Sequence, residues 1–486
     1  MDSLQPVLAV LARVLLGFSF AFLVPLAWAL GVGEYAEARV WAIGGGLTLF
    51  VGWFMGWVLR HHTRELQPRD GFLLVTLTWV VLPACAAVPL LWTIPKIEWA
   101  DAYFEAMSAL TATGATALIG IDNLPLSVNI WRCFLQFIGG LGIILLVVAV
   151  LPMLGLSSMQ LYRAETPGPL KDDKLTPRIA ETARGLWTVY FALSAACFVA
   201  YRIAGMGWAD AFMHMCSTMG LGGFSSHDAS FAYWNSPALE AVAIVFMVLS
   251  GISFLRYFAV WRSRSSAIVL GDAEVRAYLL VMVGATLVLT LVLTGNAVYD
   301  DHLSAFRAAA FHVVSLATTT GYAATDYALW PAFGPVLLIF LGCFVSCAGS
   351  TGGGIKMVRM LLLVKQARRE LVRIIHPRVI NPVTLGGVSV PPTVLAAVLA
   401  FMLIYGASIV GLTLLMLLSG LDLVTAFSAV IVCVNNIGPG LGQVGPASHF
   451  GVLNDFQLWI LSFAMLLGRL ELLSVLVLFT PQFWRK

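Results

Sequence analysis

The chain alternates between two lengths of apolar segment. Long runs, each near the ~20 residues that a membrane-crossing helix needs, recur at Val7–Leu30, Val40–Leu59, Gly71–Ile94, Val128–Leu154, Glu181–Ile203, Ser236–Trp261, Val275–Leu293, Ala332–Val364, Pro391–Leu418 and Asn454–Phe479. Within each of the last four pairs lies a second kind of run, about a dozen residues long and too short to span. Such helices must enter and leave on one side. The non-helical backbone that follows them is tolerated at membrane depth only where it is buried in protein or faces water. The pattern predicts an all-α polytopic membrane protein of about ten transmembrane helices plus four re-entrant pore helices. These form four pseudo-symmetric helix–pore–helix repeats around a central pore. Two N-terminal spans fill residues 1–70, and the repeats occupy 71–160, 161–265, 266–378 and 379–486.

The short runs align without gaps on a terminal glycine: DAYFEAMSALTATG (Asp101 to Gly114), DAFMHMCSTMGLGG (Asp210 to Gly223), AAAFHVVSLATTTG (Ala308 to Gly321) and TAFSAVIVCVNNIG (Thr425 to Gly438). Each has alanine second (Ala102, Ala211, Ala309, Ala426), and the glycines stand 109, 98 and 117 residues apart. Glycine permits the positive φ that aims successive carbonyls at one axis. A ring of backbone carbonyls can replace the hydration shell of a monovalent cation, and four helix C-termini pointing inward favour positive charge. No carboxylate occupies the last four positions of any window, so backbone oxygens must dominate, with Thr111, Thr113, Thr318, Thr319 and Thr320 adding hydroxyls or bracing the turns. His214 and His312 share one window position with Glu105, which suggests bracing behind the turns rather than metal binding. Asp101 and Asp210 begin their helices, where a carboxylate suits the dipole.

The segment from Ala332 to Ile375 is too long for one straight span, and CAGSTGGGIK (Cys347 to Lys356) interrupts it. Gly349, Gly352, Gly353 and Gly354 each weaken a helix by about 1 kcal/mol relative to alanine, so this is a broken helix whose unwound part faces a cavity below the turns. Arg469, inside MLLGRLELL, is costly unless it faces partners or water. Glu471 is a poor partner for it, because residues two apart on a helix do not face each other.

Composition narrows the class further. The 486 residues are 60% hydrophobic and 11% charged, against about 25% charged in soluble domains. Most of the 28 Lys and Arg lie between the repeats or at the C-terminus, which places both termini and the inter-repeat loops in the cytoplasm and the four turns outside. The first apolar run lacks a cleavage pattern and reads as a retained helix. The seven cysteines lack CxxC spacing and imply no disulfide or metal site. Gly440 to Gly445 matches GxGxxG but follows a short helix rather than a strand, and GSTGGGIK departs from the P-loop pattern. No HExxH or GxSxG occurs, so neither an enzyme nor a nucleic-acid-binding protein is expected, and no cofactor. His61, His62 and Glu65 read as solvated charge. The basic run Lys365 to Arg378 and the loop around Lys171 and Lys174 suit either anionic lipid headgroups or a cytosolic partner. A secondary transporter with discontinuous helices is the alternative class, but that design usually shows two-fold repeats.

This four-fold plan, with TATGAT, GGFSSHD, TTTGYA and NNIGPGLG after the short helices, resembles the Trk/Ktr/HKT potassium transporter superfamily, and the two extra N-terminal spans resemble its TrkH-type branch. The resemblance implies a potassium-selective ion-conducting subunit of a bacterial K⁺ uptake system in the inner membrane, with K⁺ as the transported ion. The filter glycines would be Gly114, Gly223, Gly321 and Gly438. The carbonyl-bearing pairs before them would be Ala112/Thr113, Leu221/Gly222, Thr319/Thr320 and Asn436/Ile437. The resemblance further implies that the glycine loop (Gly349, Gly352, Gly353, Gly354, ending at Lys356) obstructs the pore and moves on opening, and that Arg469 helps hold it shut. A homodimer and a cytosolic TrkA-type nucleotide-binding subunit are the implied partners.

Overall fold

A computed structural model describes residues 4–60, 66–149 and 175–485, with the side chains at 68, 145–149 and 175–180 excepted. His61, His62, Arg64 and Glu65, and the loop holding Arg163, Lys171 and Lys174, lie outside the described residues. Among those described, seven helices are long and apolar enough to cross a membrane: Gln5–Val32, Tyr35–Val58, Arg69–Thr93, Leu126–Ile144, Glu181–Ile203, Ala273–Gly295 and Pro392–Leu418. Two bent helix pairs are long and apolar enough only when each pair is taken together. Pro237–Ser250 turns by 82° into Phe254–Ser263, and Asp455–Arg469 turns by 109° into Leu473–Phe479. The remaining expected span is divided. Phe333–Phe344 has only 12 residues, and helix resumes at Met357–Ile375 after the glycine loop.

The N-terminal helices pack closely because glycines of the second helix let the first approach, as small residues do in membrane helix pairs. A Cβ on Gly52 would approach the Leu16 backbone nitrogen at 3.0 Å, and one on Gly45 would meet Phe22 at the same distance. Phe22 and Trp41 carry this hairpin onto Trp131 of the first repeat, with ring centroids 4.6 and 5.6 Å apart. The Glu34 carboxylate accepts from the backbone N–H groups of Leu126 (2.7 Å) and Ser127 (3.1 Å). It thus caps the start of Leu126–Ala149, where orphan donors and the dipole favour negative charge, from the turn between the two N-terminal helices.

The four short helices are Trp99–Leu110, Trp208–Gly220, His302–Ala317 and Leu423–Val434. Each packs against its own two spans and against the second span of the preceding repeat: Trp208–Gly220 on Leu126–Ala149, His302–Ala317 on Pro237–Ser250, Leu423–Val434 on Phe333–Phe344. The circuit closes where Trp99–Leu110 packs on Asp455–Arg469, the last span of the chain. Sequence-distant ends therefore meet as neighbours in a ring. Long apolar side chains such as Leu280, Leu291 and Leu403 are exposed on the outside of the bundle, as a lipid-facing surface requires. The sole strands among the described residues, Thr384–Leu385 and Val388–Ser389, form a minimal hairpin. Gly386 and Gly387 supply the two positive φ angles (57° and 85°) that a type I′ turn demands.

Candidate ion pathway

Each short helix ends in the same backbone gesture. Two residues before the window glycine, φ is positive at Ala112 (50°), Leu221 (53°), Thr319 (64°) and Asn436 (53°). The residue between returns to negative φ, and the glycines are again positive: Gly114 (86°), Gly223 (77°), Gly321 (84°) and Gly438 (104°). Left-handed backbone is costly for ordinary residues, so four side-chain-bearing residues at one equivalent position are held there by something. The holding bond is local and repeated. The N–H groups of Thr113, Gly222, Thr320 and Ile437 donate to the carbonyls of Ser108, Ser217, Ser315 and Val432 at 2.8–2.9 Å. The Thr111 and Thr318 hydroxyls donate to helix carbonyls (2.7 and 2.8 Å) and stand 2.7 and 2.8 Å from the hydroxyls of Thr113 and Thr320. These threonines are braces.

The four turns form a closed ring. A Cβ built on Gly114 would overlap the Gly222 carbonyl, one on Gly223 the Thr320 carbonyl, and one on Gly321 the Ile437 carbonyl. A Cβ on Gly438 would lie 2.8 Å from the Thr113 carbonyl oxygen. Every glycine thus faces the carbonyl of the residue preceding the next glycine, and the fourth returns to the first. All twelve residues expected at the site, from Ala112 to Gly438, lie in these turns, and the ring glycines are required by space as well as by φ.

Behind the ring, the window position shared by Glu105, His214 and His312 has one task in two chemical forms. Glu105 accepts from the Thr116 hydroxyl (3.0 Å) and the Ala117 N–H (2.9 Å) and pairs with Arg132 at 2.7 Å. His214 Nε2 lies 3.1 Å from the Ser225 hydroxyl, and His312 Nε2 accepts from the Ala324 N–H at 3.2 Å. In the fourth repeat Ser428, one residue earlier, bonds both the N–H (2.9 Å) and the carbonyl (3.1 Å) of Leu441. Each clasps the segment leaving the ring. Nearer the mouth, Asp122 pairs with His227, whose ring stacks on Tyr233 at 3.5 Å. Partial burial raises the Asp122 carboxyl, but the hydrogen bonds from His227 and Asp228 outweigh it and hold the group below the ordinary aspartate value. No group of three or more potential metal ligands occurs among the described residues.

The glycine loop lies directly against the ends of the short helices. The Thr351 hydroxyl donates to the Met219 carbonyl at 3.0 Å, and the Gly353 N–H donates to the Thr319 hydroxyl at 2.8 Å. A Cβ on Gly353 would overlap the Asn435 carbonyl, and one on Gly352 would lie 3.0 Å from that of Thr318. Lys356 Nζ donates to the Gly352 carbonyl and closes the loop on itself. Arg469 is buried and donates to the carbonyls of Thr351 (2.8 Å) and Gly139 (2.9 Å), so the loop is tied to the first repeat. Glu471 lies past the end of the helix, in the bend after Arg469, and pairs instead with Arg359 at 2.5 Å.

Three participants were not picked from the sequence. Gln136, fully buried, bonds the second turn. Arg132, which pairs with Glu105, is a charge within an apolar run, the same cue that marks Arg469. Glu274 is the third. Its Oε1 accepts from Ala348 N–H (2.8 Å) and Val358 N–H (3.1 Å), so one carboxylate fastens both ends of the glycine loop.

A family model described as "TrkH: Cation transport protein" matches residues 39–486. The Trk system potassium uptake protein TrkH of Vibrio parahaemolyticus is 46% identical over 440 residues, covering 90% of each chain. The protein of the same name from Halomonas elongata is 43% identical over 490 residues, covering all of both. Among solved structures, the crystal structure of the potassium transporter TrkH from Vibrio parahaemolyticus superposes with a TM-score of 0.91 at 41% identity, over 99% of each chain.

Proposed function

The chain belongs to the TrkH family of cation transport proteins, and from that premise we propose that it is the potassium-conducting membrane subunit of a bacterial K⁺ uptake system. The observation that carries this reading is the closed ring in which each glycine abuts the carbonyl of the next turn. Four repeats with a common backbone present carbonyls around one axis, and such a ring replaces the water shell of a dehydrated cation. The four helix C-termini aimed at the same axis add partial negative charge. The ion-binding residues are Ala112, Thr113 and Gly114; Leu221, Gly222 and Gly223; Thr319, Thr320 and Gly321; and Asn436, Ile437 and Gly438. Selectivity is a property of the ring's radius, not of any ionised side chain.

Beneath it, Gly349 to Lys356 is the gate. The loop's contacts with Met219, Thr319 and Arg469 support a closed state in which it obstructs the path, and opening moves it away. The protein sits in the inner membrane with both termini cytoplasmic. It works as a homodimer with a cytosolic TrkA-type nucleotide-binding subunit. Uptake of radioactive rubidium into liposomes containing the purified protein tests the function. Inhibition of that uptake by K⁺ far more than by Na⁺ is expected, and equal inhibition by the two ions contradicts the reading.

A further inference from the structure

The residues immediately before the ring glycines are Thr113, Gly222, Thr320 and Ile437, and the second alone has no side chain. In the other turns that side chain secures the ring from behind. Thr113 Oγ1 accepts from Asn436 Nδ2 at 2.9 Å, Thr320 Oγ1 stands 2.8 Å from the Thr318 hydroxyl, and Ile437 packs onto the bare face of Gly342. At Gly222 the corresponding space belongs to Gln136, which comes from Leu126–Ala149 in the preceding repeat. Its Nε2 donates to the Gly222 carbonyl at 2.7 Å, and its Oε1 accepts from the Phe224 N–H at 3.2 Å. The amide thus grips the backbone on both sides of Gly223. A Cβ on Gly222 would overlap the amide carbon of Gln136, so the two positions share one volume. Among the described residues, this is the one ring carbonyl of its tier that accepts from a side chain.

We propose that Gln136 is a specificity-determining positioning residue: it is the side chain that the second turn lacks, supplied by the neighbouring repeat, and it fixes how far the Gly222 carbonyl stands from the axis. A smaller ion is discriminated against when carbonyls cannot follow it inward, and a carbonyl whose oxygen is already tethered by an amide donor cannot. Gln136 itself touches no ion. The inference rests on the proposed filter, and it assigns the second quarter's rigidity to a residue outside the filter sequence.

The test measures K⁺/Na⁺ permeability ratios from reversal potentials under bi-ionic conditions, for the full chain reconstituted in bilayers. Gln136→Ala and the volume-conserving Gln136→Met should conduct with the ratio lowered about three- to tenfold, the worth of one neutral hydrogen bond. Gly222→Ser alone should be worse than either, because its side chain collides with Gln136. The double variant Gln136→Ala/Gly222→Ser should recover selectivity relative to Gly222→Ser, a sign reversal that general loss of packing does not produce. Wild-type ratios in both Gln136 variants, with unchanged thermal midpoints, would overturn the inference while leaving the filter reading intact. If Gln136→Ala does not fold, Gln136→Met decides. A wild-type protein without K⁺ preference would overturn the filter reading, and this inference with it.

Discussion

The ring and the loop beneath it are both glycine-rich, non-helical and buried, yet they are held in opposite ways. The ring is made by repetition. One backbone conformation occurs four times, fixed by a hydrogen bond inside each helix end and by a glycine that fits against the next turn's carbonyl. The loop exists once and is held by side chains from distant parts of the chain: Glu274 at both its ends, Thr319 at Gly353 and Arg469 at Thr351. Losing one tie among many local, equivalent ones changes a structure little. Losing one of a few long-range ties can release a segment whole. The proposed filter would need the first property and the proposed gate the second.

Removal of the loop should have the largest effect. Deleting Gly352 to Gly354 should raise basal rubidium flux by up to about a hundredfold, the range open to a gate closed by a few kcal/mol, while the K⁺/Na⁺ ratio stays near wild type. Lower or unchanged flux would mean that the loop is structural. Gly438→Ser acts on the other region. A side chain at φ 104° costs about 1–2 kcal/mol in backbone strain alone, and it faces the Thr113 carbonyl at 2.8 Å. Reversal potentials in mixed salts should then show K⁺ preference falling tenfold or more, in order of magnitude, without a rise in basal flux. Unaltered reversal potentials would remove Gly438 from the filter.

Arg469→Ala deletes two charge-assisted bonds worth about 1.5–3 kcal/mol each, part of which favours the closed loop. Basal flux should rise about tenfold with selectivity unchanged, and normal expression with wild-type flux would reduce Arg469 to a packing role. The smallest effect is expected at Glu274. Glu274→Gln keeps an acceptor for Ala348 and Val358 and should alter flux by less than about threefold, whereas Glu274→Ala should raise it further, since it leaves both donors unmet. Equal flux in the two variants would show that the carboxylate does not fasten the loop.

What could be read from the sequence follows the same division. The ring was legible because its information is local and repeated: glycine closes four equal windows, and glycine is what positive φ and close approach demand. The broken third-repeat helix and the charge at Arg469 were legible because each violates the rules for an apolar span. The bend at Leu470–Leu472 was not. Glu471 and Leu472 have positive φ (57° and 47°) with neither glycine nor proline beside them, and Glu471 pairs there with Arg359, 112 residues away. The 82° bend after Ser250 likewise depends on the loop, through Cys347 N–H to Gly251 and Phe254 N–H to Gly349. Gln136 and Glu274 look like ordinary polar residues until the ring's order places them beside Gly222 and the loop ends. Long-range bonds leave no periodic trace.

The central claim is that four unequal turns make one K⁺-selective ring, and bi-ionic reversal potential tests it most directly. With K⁺ on one side of a bilayer containing the purified protein and Na⁺ on the other, the account predicts a reversal potential displaced strongly toward that of K⁺. Gly438→Ser should collapse that displacement while current persists. A wild-type reversal potential near zero, or a wild-type displacement retained in Gly438→Ser, would contradict it.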